Sequence, residues 1–164
     1  MNLKKMVSFD IGINEDSKEF LARQLTLILS DQYVLFTQLN SFHWNVRGKH
    51  FPGLHALFQK GYEMLFQDID LIAERILQLG YFCNATLSDF LKNSKLKEQS
   101  DVSISDEAMV KILVENFEKI IVQMREVALH AETNYKDTVT NNLIVDLLQS
   151  YEKYIWLLRS NIIN

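Results

Sequence analysis

Apolar residues recur at alternating steps of three and four along four long segments of the chain, a spacing that places them on one face of a helix. The pattern predicts helices over about residues 17–45, 52–79, 103–132 and 137–158. In the first segment the apolar stripe consists of Leu21, Leu25, Ile28, Leu35, Leu39 and Phe42, with the polar Gln32 in one position. In the fourth segment the predicted buried side consists of Val139, Leu143, Ile144, Leu147, Tyr151, Tyr154, Ile155 and Leu158.

Four amphipathic helices predict an all-α protein folded as a four-helix bundle. The connection between the second and third helices is roughly 22 residues long, which suits a crossover along the bundle, and residues 86–92 within it predict a short extra helix. The chain has only five glycines and one proline, so little of it favours turns. We expect a single domain over residues 1–164, with residues 1–15 as an N-terminal extension.

The second helix has more apolar surface than one core stripe requires. Its main stripe runs from Phe58 to Leu79, and five further apolar residues lie off it: Leu57, Met64, Phe66, Leu71 and Leu77. A helix that is apolar on more than one side is buried on more than one side. The pattern indicates either a subunit interface or a wide stripe facing the core, and the sequence leaves both open.

Charge and cysteine content restrict the function further. The formal net charge of −4 argues against a dedicated nucleic-acid binder, which normally has a basic surplus. A single cysteine, Cys83, gives no disulfide framework and fits a reducing compartment, where it would act as a small buried hydrophobic residue. We find no signal-peptide pattern and no apolar run long enough to span a membrane, so we expect a cytoplasmic protein.

Candidate metal ligands are concentrated in one stretch of the chain. His43 lies at the end of the first helix and His55 in the first turn of the second, and a short turn around Gly48 allows the imidazoles to approach each other. Asp70 and Glu74 are spaced i, i+4, so their carboxylates share a face of the second helix. Imidazole and carboxylate together suit iron, manganese or zinc.

Helix length separates the two halves of this ligand set. His55 and Asp70 are 15 residues apart on one helix, which is roughly 22 Å at 1.5 Å per residue. If they share an ion, the carboxylates must come from another subunit, for example through antiparallel pairing of two second helices about a two-fold axis. The alternative is that Asp70 and Glu74 lie on a solvated face and that the histidines are structural.

A set of short motifs resembles the signature of the Dps family, the ferritin-like miniferritins that include the DNA-protection-during-starvation and neutrophil-activating proteins. The matching residues are His43-Trp44-Asn45-Val46-Arg47-Gly48, Phe51, Leu54-His55, Asp70-Leu71-Ile72-Ala73-Glu74-Arg75 and, near the C-terminus, Tyr154-Ile155-Trp156. The resemblance covers roughly residues 15–162. It implies a ferritin-like four-helix bundle that assembles into a hollow shell of twelve subunits.

The resemblance also implies an activity and the residues that carry it. His43 and His55 match the family's ferroxidase histidines, and Asp70 and Glu74 match its bridging carboxylates, in sites between two-fold-related subunits. Trp44 matches a tryptophan beside the site that is either an electron donor or radical trap, or an interface packing residue. Members oxidise Fe(II), usually with hydrogen peroxide, and store a ferric mineral that protects the cell from oxidative damage.

The chain departs from the family pattern at one metal position. Many relatives have a further acidic ligand one turn after the second histidine, where this chain has the neutral Gln59. We therefore expect a weaker second iron position. Relatives also line three-fold pores with acidic residues near the start of the last helix, which makes Asp137 and Asp146 candidate pore residues, with Asn142 at a third position. Asp137 is equally well placed as a helix N-cap.

Binding and compaction of DNA is the alternative function. Relatives that bind DNA do so with a mobile basic tail, whereas the N-terminal extension here offers only Lys4 and Lys5 and also carries acidic residues. The C-terminal residues add no basic tail. Because the affinity for phosphates grows with the number of cations, we expect no DNA binding at physiological salt. A third possibility, a structural bundle with inactive metal sites, conflicts with the intact ligand set.

Overall fold

The computed structural model describes residues 3–161, and the regular secondary structure within them is α-helical apart from one isolated β-bridge. Its helices are α1 (Glu15–Asn45), α2 (Phe51–Gln78), α3 (Leu87–Asn93), α4 (Asp106–Thr133) and α5 (Thr138–Arg159). The four long helices and the short extra helix are those that the hydrophobic pattern predicted. None of these helices combines the length and apolar character needed to cross a membrane.

The four long helices form a bundle in which α1 packs on α2 and α4, and α5 packs on α4 and α2. Helix α1 is antiparallel to α4, because Phe20 near its start contacts His130 near the end of α4. Helix α1 is also antiparallel to α2, so α2 and α4 run in the same direction. The connection between them therefore returns along the bundle, as the crossover prediction required.

The crossover is fastened to the outside of α1. Phe90 of α3 stacks on Tyr33 with ring centroids 3.8 Å apart. Just after α3, the buried carboxylate of Asp31 accepts hydrogen bonds from the hydroxyl of Ser94 and the backbone N–H of Lys95, at 2.6 and 2.7 Å. A buried carboxylate needs such donors, so these contacts fix the path of the connection.

Local capping explains where the helices begin and end. The side chains of Asn14, Thr86, Ser105 and Asp137 accept hydrogen bonds from first-turn N–H groups of α1, α3, α4 and α5, respectively. Gly80 follows α2 with φ of +90°, the left-handed conformation that ends helices at glycine.

Burial confirms most of the predicted core and corrects some positions. The apolar stripe of α1 is fully buried, and so is Gln32. Val139, which the pattern assigned to the buried side of the last helix, is 60% exposed and is a correction, because its neighbour Thr140 takes the buried position in this turn of α5. On α2, Leu57 and Met64 pack against the core. The remaining off-stripe residues are exposed, namely Phe66, Leu71 and Leu77.

The described part of the N-terminal extension is folded onto the end of α2. The N–H of Met6 donates to the carbonyl of Gly80 at 2.8 Å, and the N–H of Phe82 donates to the carbonyl of Lys4 at 2.9 Å. The ammonium of Lys4 lies over the ring of Phe82, and Lys5 pairs with Glu15. Cys83, the residue after Phe82, is partly buried against the core, and this burial raises the pKa of its thiol.

Candidate metal centre

The turn between α1 and α2 holds two histidines against each other. Nδ1 of His43 lies 2.8 Å from the carbonyl oxygen of His55, and Nδ1 of His55 lies 2.8 Å from the carbonyl oxygen of His43. The imidazoles stack with centroids 3.8 Å apart and planes 22° from parallel. Gly48, with φ of +107°, makes the tight reversal that brings them together.

These reciprocal hydrogen bonds select the imidazole tautomer. A carbonyl oxygen can only accept, so Nδ1 carries the proton on both rings. The unprotonated Nε2 of each neutral ring then keeps its lone pair for a metal ion. Orientation of ligand histidines by Nδ1–H donation to a carbonyl is a common arrangement in metal sites. The pair therefore has the geometry of two prepared nitrogen ligands.

Aromatic side chains pack around the histidine pair. Phe51 lies against His55 with ring centroids 5.1 Å apart, and Tyr62 meets His43 edge-to-face at 5.3 Å. Trp44, next to His43 in the chain, is 72% exposed in the protomer. An indole this exposed is available to pack against another subunit.

The structure does not bring the carboxylates to the histidines within one protomer. Asp70 and Glu74 are both exposed, on α2 and far along it from His55. Within residues 3–161 of a single chain, no three potential metal-binding side chains of histidine, cysteine, aspartate or glutamate come together. A site that uses all four predicted ligands therefore requires a second subunit, and their joint role stays a prediction.

Gln59 lies one turn after His55, at the position where the family resemblance led us to expect a further acidic ligand. Its amide N–H donates to Oε1 of Glu63 at 2.7 Å. Because the amide nitrogen is engaged with that carboxylate, the amide oxygen of Gln59 is left as the free acceptor. This orientation presents oxygen, and not nitrogen, as the group able to contact a metal ion.

The two candidate pore residues have different environments. Asp137 is 1% exposed and caps α5, and both of its carboxylate oxygens accept from Nη2 of Arg75, at 2.9 Å each. The Arg75 Nε atom also donates to the hydroxyl of Thr140 at 2.8 Å. These contacts inside the protomer support the N-cap alternative for Asp137, and its role in a pore stays a prediction. Asp146 is exposed and stays a candidate.

Inside the bundle lies a buried polar cluster formed by Gln32, Asp68 and Tyr151. The sequence pattern did not predict that these three residues meet. The amide of Gln32 donates to the hydroxyl of Tyr151 at 2.8 Å. Burial raises the pKa of Asp68 to about 6, and hydrogen bonding with Tyr151 acts to lower it. One signal was available, since Asp68 stands three residues after the core residue Leu65 and so lies on the apolar side of α2.

Comparisons with known proteins agree with this architecture. A family model described as the ferritin-like domain matches residues 22–163. The DNA protection during starvation protein 2 of Bacillus anthracis is 32% identical over 148 residues, covering 90% of this chain and 97% of that protein. The DNA protection during starvation protein of Helicobacter pylori is 32% identical over 133 residues, covering 81% and 92%, respectively.

A solved structure gives the same result in three dimensions. The Dps protein of Vibrio cholerae O1, described as a member of a broad superfamily of ferritin-like diiron-carboxylate proteins, is 31% identical and superimposes with a TM-score of 0.89. The match covers 98% of this chain and 99% of that one. With the prepared histidine pair and the exposed carboxylates of α2, these similarities place the chain in the Dps family of ferritin-like proteins.

Proposed function

We propose that this protein oxidises Fe(II), with hydrogen peroxide as the preferred oxidant, and stores the ferric product. The observation that carries the proposal is the histidine pair, whose mutual hydrogen bonds leave two Nε2 atoms free to bind metal. With Nδ1 protonated on both rings, each neutral imidazole presents the lone pair of its Nε2, one of the two ring nitrogens through which histidine binds metals.

We place the complete site between two subunits related by a two-fold axis. Antiparallel pairing of two α2 helices sets the start of each against the later part of the other, where Asp70 and Glu74 lie. Phe66 and Leu71 are 68% and 45% exposed on α2. An interface on this part of the helix would bury that apolar surface, which is otherwise costly in water.

Each ligand has a distinct role in the proposed reaction. The imidazoles of His43 and His55 bind the ferrous substrate, and Asp70 and Glu74 of the partner subunit supply anionic oxygen, which favours the ferric product. Two ferrous ions give up one electron each. One hydrogen peroxide accepts both electrons as its O–O bond breaks, which gives two hydroxide ions and no free hydroxyl radical.

Storage follows from assembly of the family's hollow shell. We propose a homododecamer in the cytoplasm that uses its ferroxidase activity against oxidative stress. Each protomer contributes a formal charge of −4, so a closed shell attracts cations. The exposed Asp146 is the pore residue we retain for iron entry. Trp44, beside His43, would lie close to the site on the subunit surface and either donate an electron or pack against the partner.

DNA binding is not part of the proposal, although the relatives named above are called DNA protection proteins. The two lysines of the extension are exposed and already contact other groups, Lys4 the ring of Phe82 and Lys5 the carboxylate of Glu15. Freeing them would cost these contacts, and two cations per chain neutralise few phosphates. A gel shift at about 150 mM salt tests this, and a clear shift by the assembled protein would contradict it.

The test of the proposed function is anaerobic peroxide consumption on addition of Fe(II). We expect the wild type to consume about one peroxide per two iron ions and to retain the ferric iron in a soluble particle. Glu74→Ala should lower the initial rate by more than about tenfold, since loss even of supporting groups costs that much. Glu115→Ala, which removes an exposed glutamate of α4, is the matched control and should behave like the wild type. Equal rates for all three proteins would contradict the proposed site.

A further inference from the structure

The turn that carries the histidine pair is tied to a third helix. Nδ1 of His50 lies 2.8 Å from Oδ2 of Asp106, the first residue of α4. Both side chains are largely shielded, with exposures of 29% for His50 and 13% for Asp106. The other carboxylate oxygen of Asp106 accepts the N–H of Glu107 at 3.0 Å. We call the contact between His50 and Asp106 the clasp.

The clasp lies at the start of α2, where Pro52 favours the first turn but no side chain caps it. His50 occupies the N-cap position of α2, yet its side chain forms no hydrogen bond to the first-turn N–H groups. A helix that begins without a side-chain cap tends to fray in its first turn. His55 lies in the second turn of this helix, so fraying at its start would move both the imidazole and the carbonyl of His55.

The histidine pair is sensitive to such movement. Each Nδ1–H donates to the backbone carbonyl of the opposite histidine, so the ring orientations depend on how the end of α1 sits against the start of α2. Five residues, 46–50, join the two helices. Val46 at one end of this turn is buried in the core. His50 at the other end is held by α4, and Gly48 lies beside the same carboxylate, close enough that an added Cβ would sit 3.4 Å from Oδ2.

We propose that His50 and Asp106 are positioning residues, which hold the turn so that His43 and His55 stay in metal-binding register. This inference rests on the proposed metal site. His50 and Asp106 are not themselves ligands in it. Their effect on metal affinity passes through the backbone of the turn and the start of α2.

The chemistry of the clasp suits a permanent anchor. Burial acts to raise the pKa of Asp106, yet this pKa lies below its usual value because His50 and the N–H of Glu107 donate hydrogen bonds to the carboxylate. The carboxylate is therefore ionised at neutral pH. A hydrogen bond to an ionised acceptor is stronger than one between neutral groups.

The experiment is calorimetric titration of the assembled protein with Zn²⁺, which occupies nitrogen and oxygen ligands without redox chemistry. His43→Ala defines the binding that belongs to the proposed site. His50→Ala should weaken that binding roughly 3- to 10-fold. This loss is smaller than the one expected for a group bonded directly to a metal ligand, because His50 acts through the backbone of the turn. His50→Asn places an amide nitrogen near the position of Nδ1 and should recover most of the loss. Asp106→Ala removes the other partner and should weaken binding to a similar extent, which keeps the test valid if His50→Ala does not assemble.

The matched control is Ser105→Ala, which removes the N-cap hydrogen bond of α4 to the N–H of Ala108 and leaves the clasp intact. It should lower the thermal stability without changing Zn²⁺ affinity. Equal losses of affinity in Ser105→Ala and His50→Ala would show a general effect of stability and overturn the inference. Wild-type affinity in His50→Ala, with binding abolished by His43→Ala, would overturn the inference alone. Absence of any binding that depends on His43 would overturn the proposed function as well.

Discussion

Two inactive variants should restore activity when their subunits are combined, because the proposed ligands of one site come from different chains. His55 and Glu74 are separated by 19 residues of α2, or roughly 28 Å along the helix. No single ion bridges that distance. His55→Ala and Glu74→Ala should therefore both be inactive alone, while each contributes the half of the site that the other lacks.

The expected recovery follows from counting sites in two-fold dimers. When the variants are combined in equal amounts and pair at random, about half of the dimers are mixed. A mixed dimer has one site that carries both substitutions and one site with all of its ligands. About one quarter of all sites are then intact, so the rate of Fe(II) oxidation should be about a quarter of the wild-type rate.

Co-expression with two different affinity tags, followed by sequential purification to select mixed shells, gives the material for this assay. The reference is a mixture of wild type and Glu74→Ala made in the same way, in which about half of the sites remain intact. A reference at about half the wild-type rate, with no recovery in the mixture of the two inactive variants, would refute the intersubunit site. It would show instead that both substitutions damage the same chain's site.

Four further outcomes can be measured. The pKa of Asp68 is raised to about 6, so ionisation of this buried carboxyl lowers the stability of the fold as pH rises through that value. Asp68→Asn should therefore be more stable than the wild type at pH 8, by up to roughly 2–3 kcal/mol in urea unfolding. The difference should shrink at pH 5, where the wild-type carboxyl is largely protonated. Gly61→Ala should lower stability by about 1–3 kcal/mol, because its Cβ would meet the hydroxyl of Tyr154 at 2.3 Å, and a thermal melt unchanged from that of the wild type would contradict this. Gln59→Asp should tighten ferrous binding in anaerobic calorimetry, and equal affinity would argue against a metal contact at this position. Asp146→Asn should slow iron uptake without altering the size of the shell, and unchanged uptake would remove it as a pore residue.

The helices were predictable because their signals are local. Apolar periodicity and capping residues such as Ser105 and Asp137 act within a few residues, so the pattern placed the helix ends to within about three residues. Val139 shows where periodicity fails. It continues the apolar pattern of α5, but the buried residue of that turn is the polar Thr140, whose hydroxyl accepts from Arg75 of α2. A pattern of apolar residues does not indicate that a polar side chain faces a neighbouring helix.

The candidate site was only half predictable from the residues alone. The spacing of His43 and His55 indicated that they meet across the turn, but their reciprocal bonding to backbone carbonyls depends on the packing of α1 against α2. The ion pair of Asp137 with Arg75 joins residues 62 positions apart. Only the N-cap role of Asp137 therefore had a local signal in the sequence. The clasp was not predictable either, because His50 contacts Asp106, which lies 56 residues away in the sequence.

The separation of imidazoles and carboxylates along α2 has a consequence for the life of the protein in the cell. On the proposed arrangement, a newly made protomer holds only the histidine half of each centre. It cannot oxidise iron until it has found a partner, so ferric product would not form on free chains, where it would precipitate unconfined. Pairing of subunits would thus complete the oxidation site, so that shell assembly begins before any ferric mineral can form.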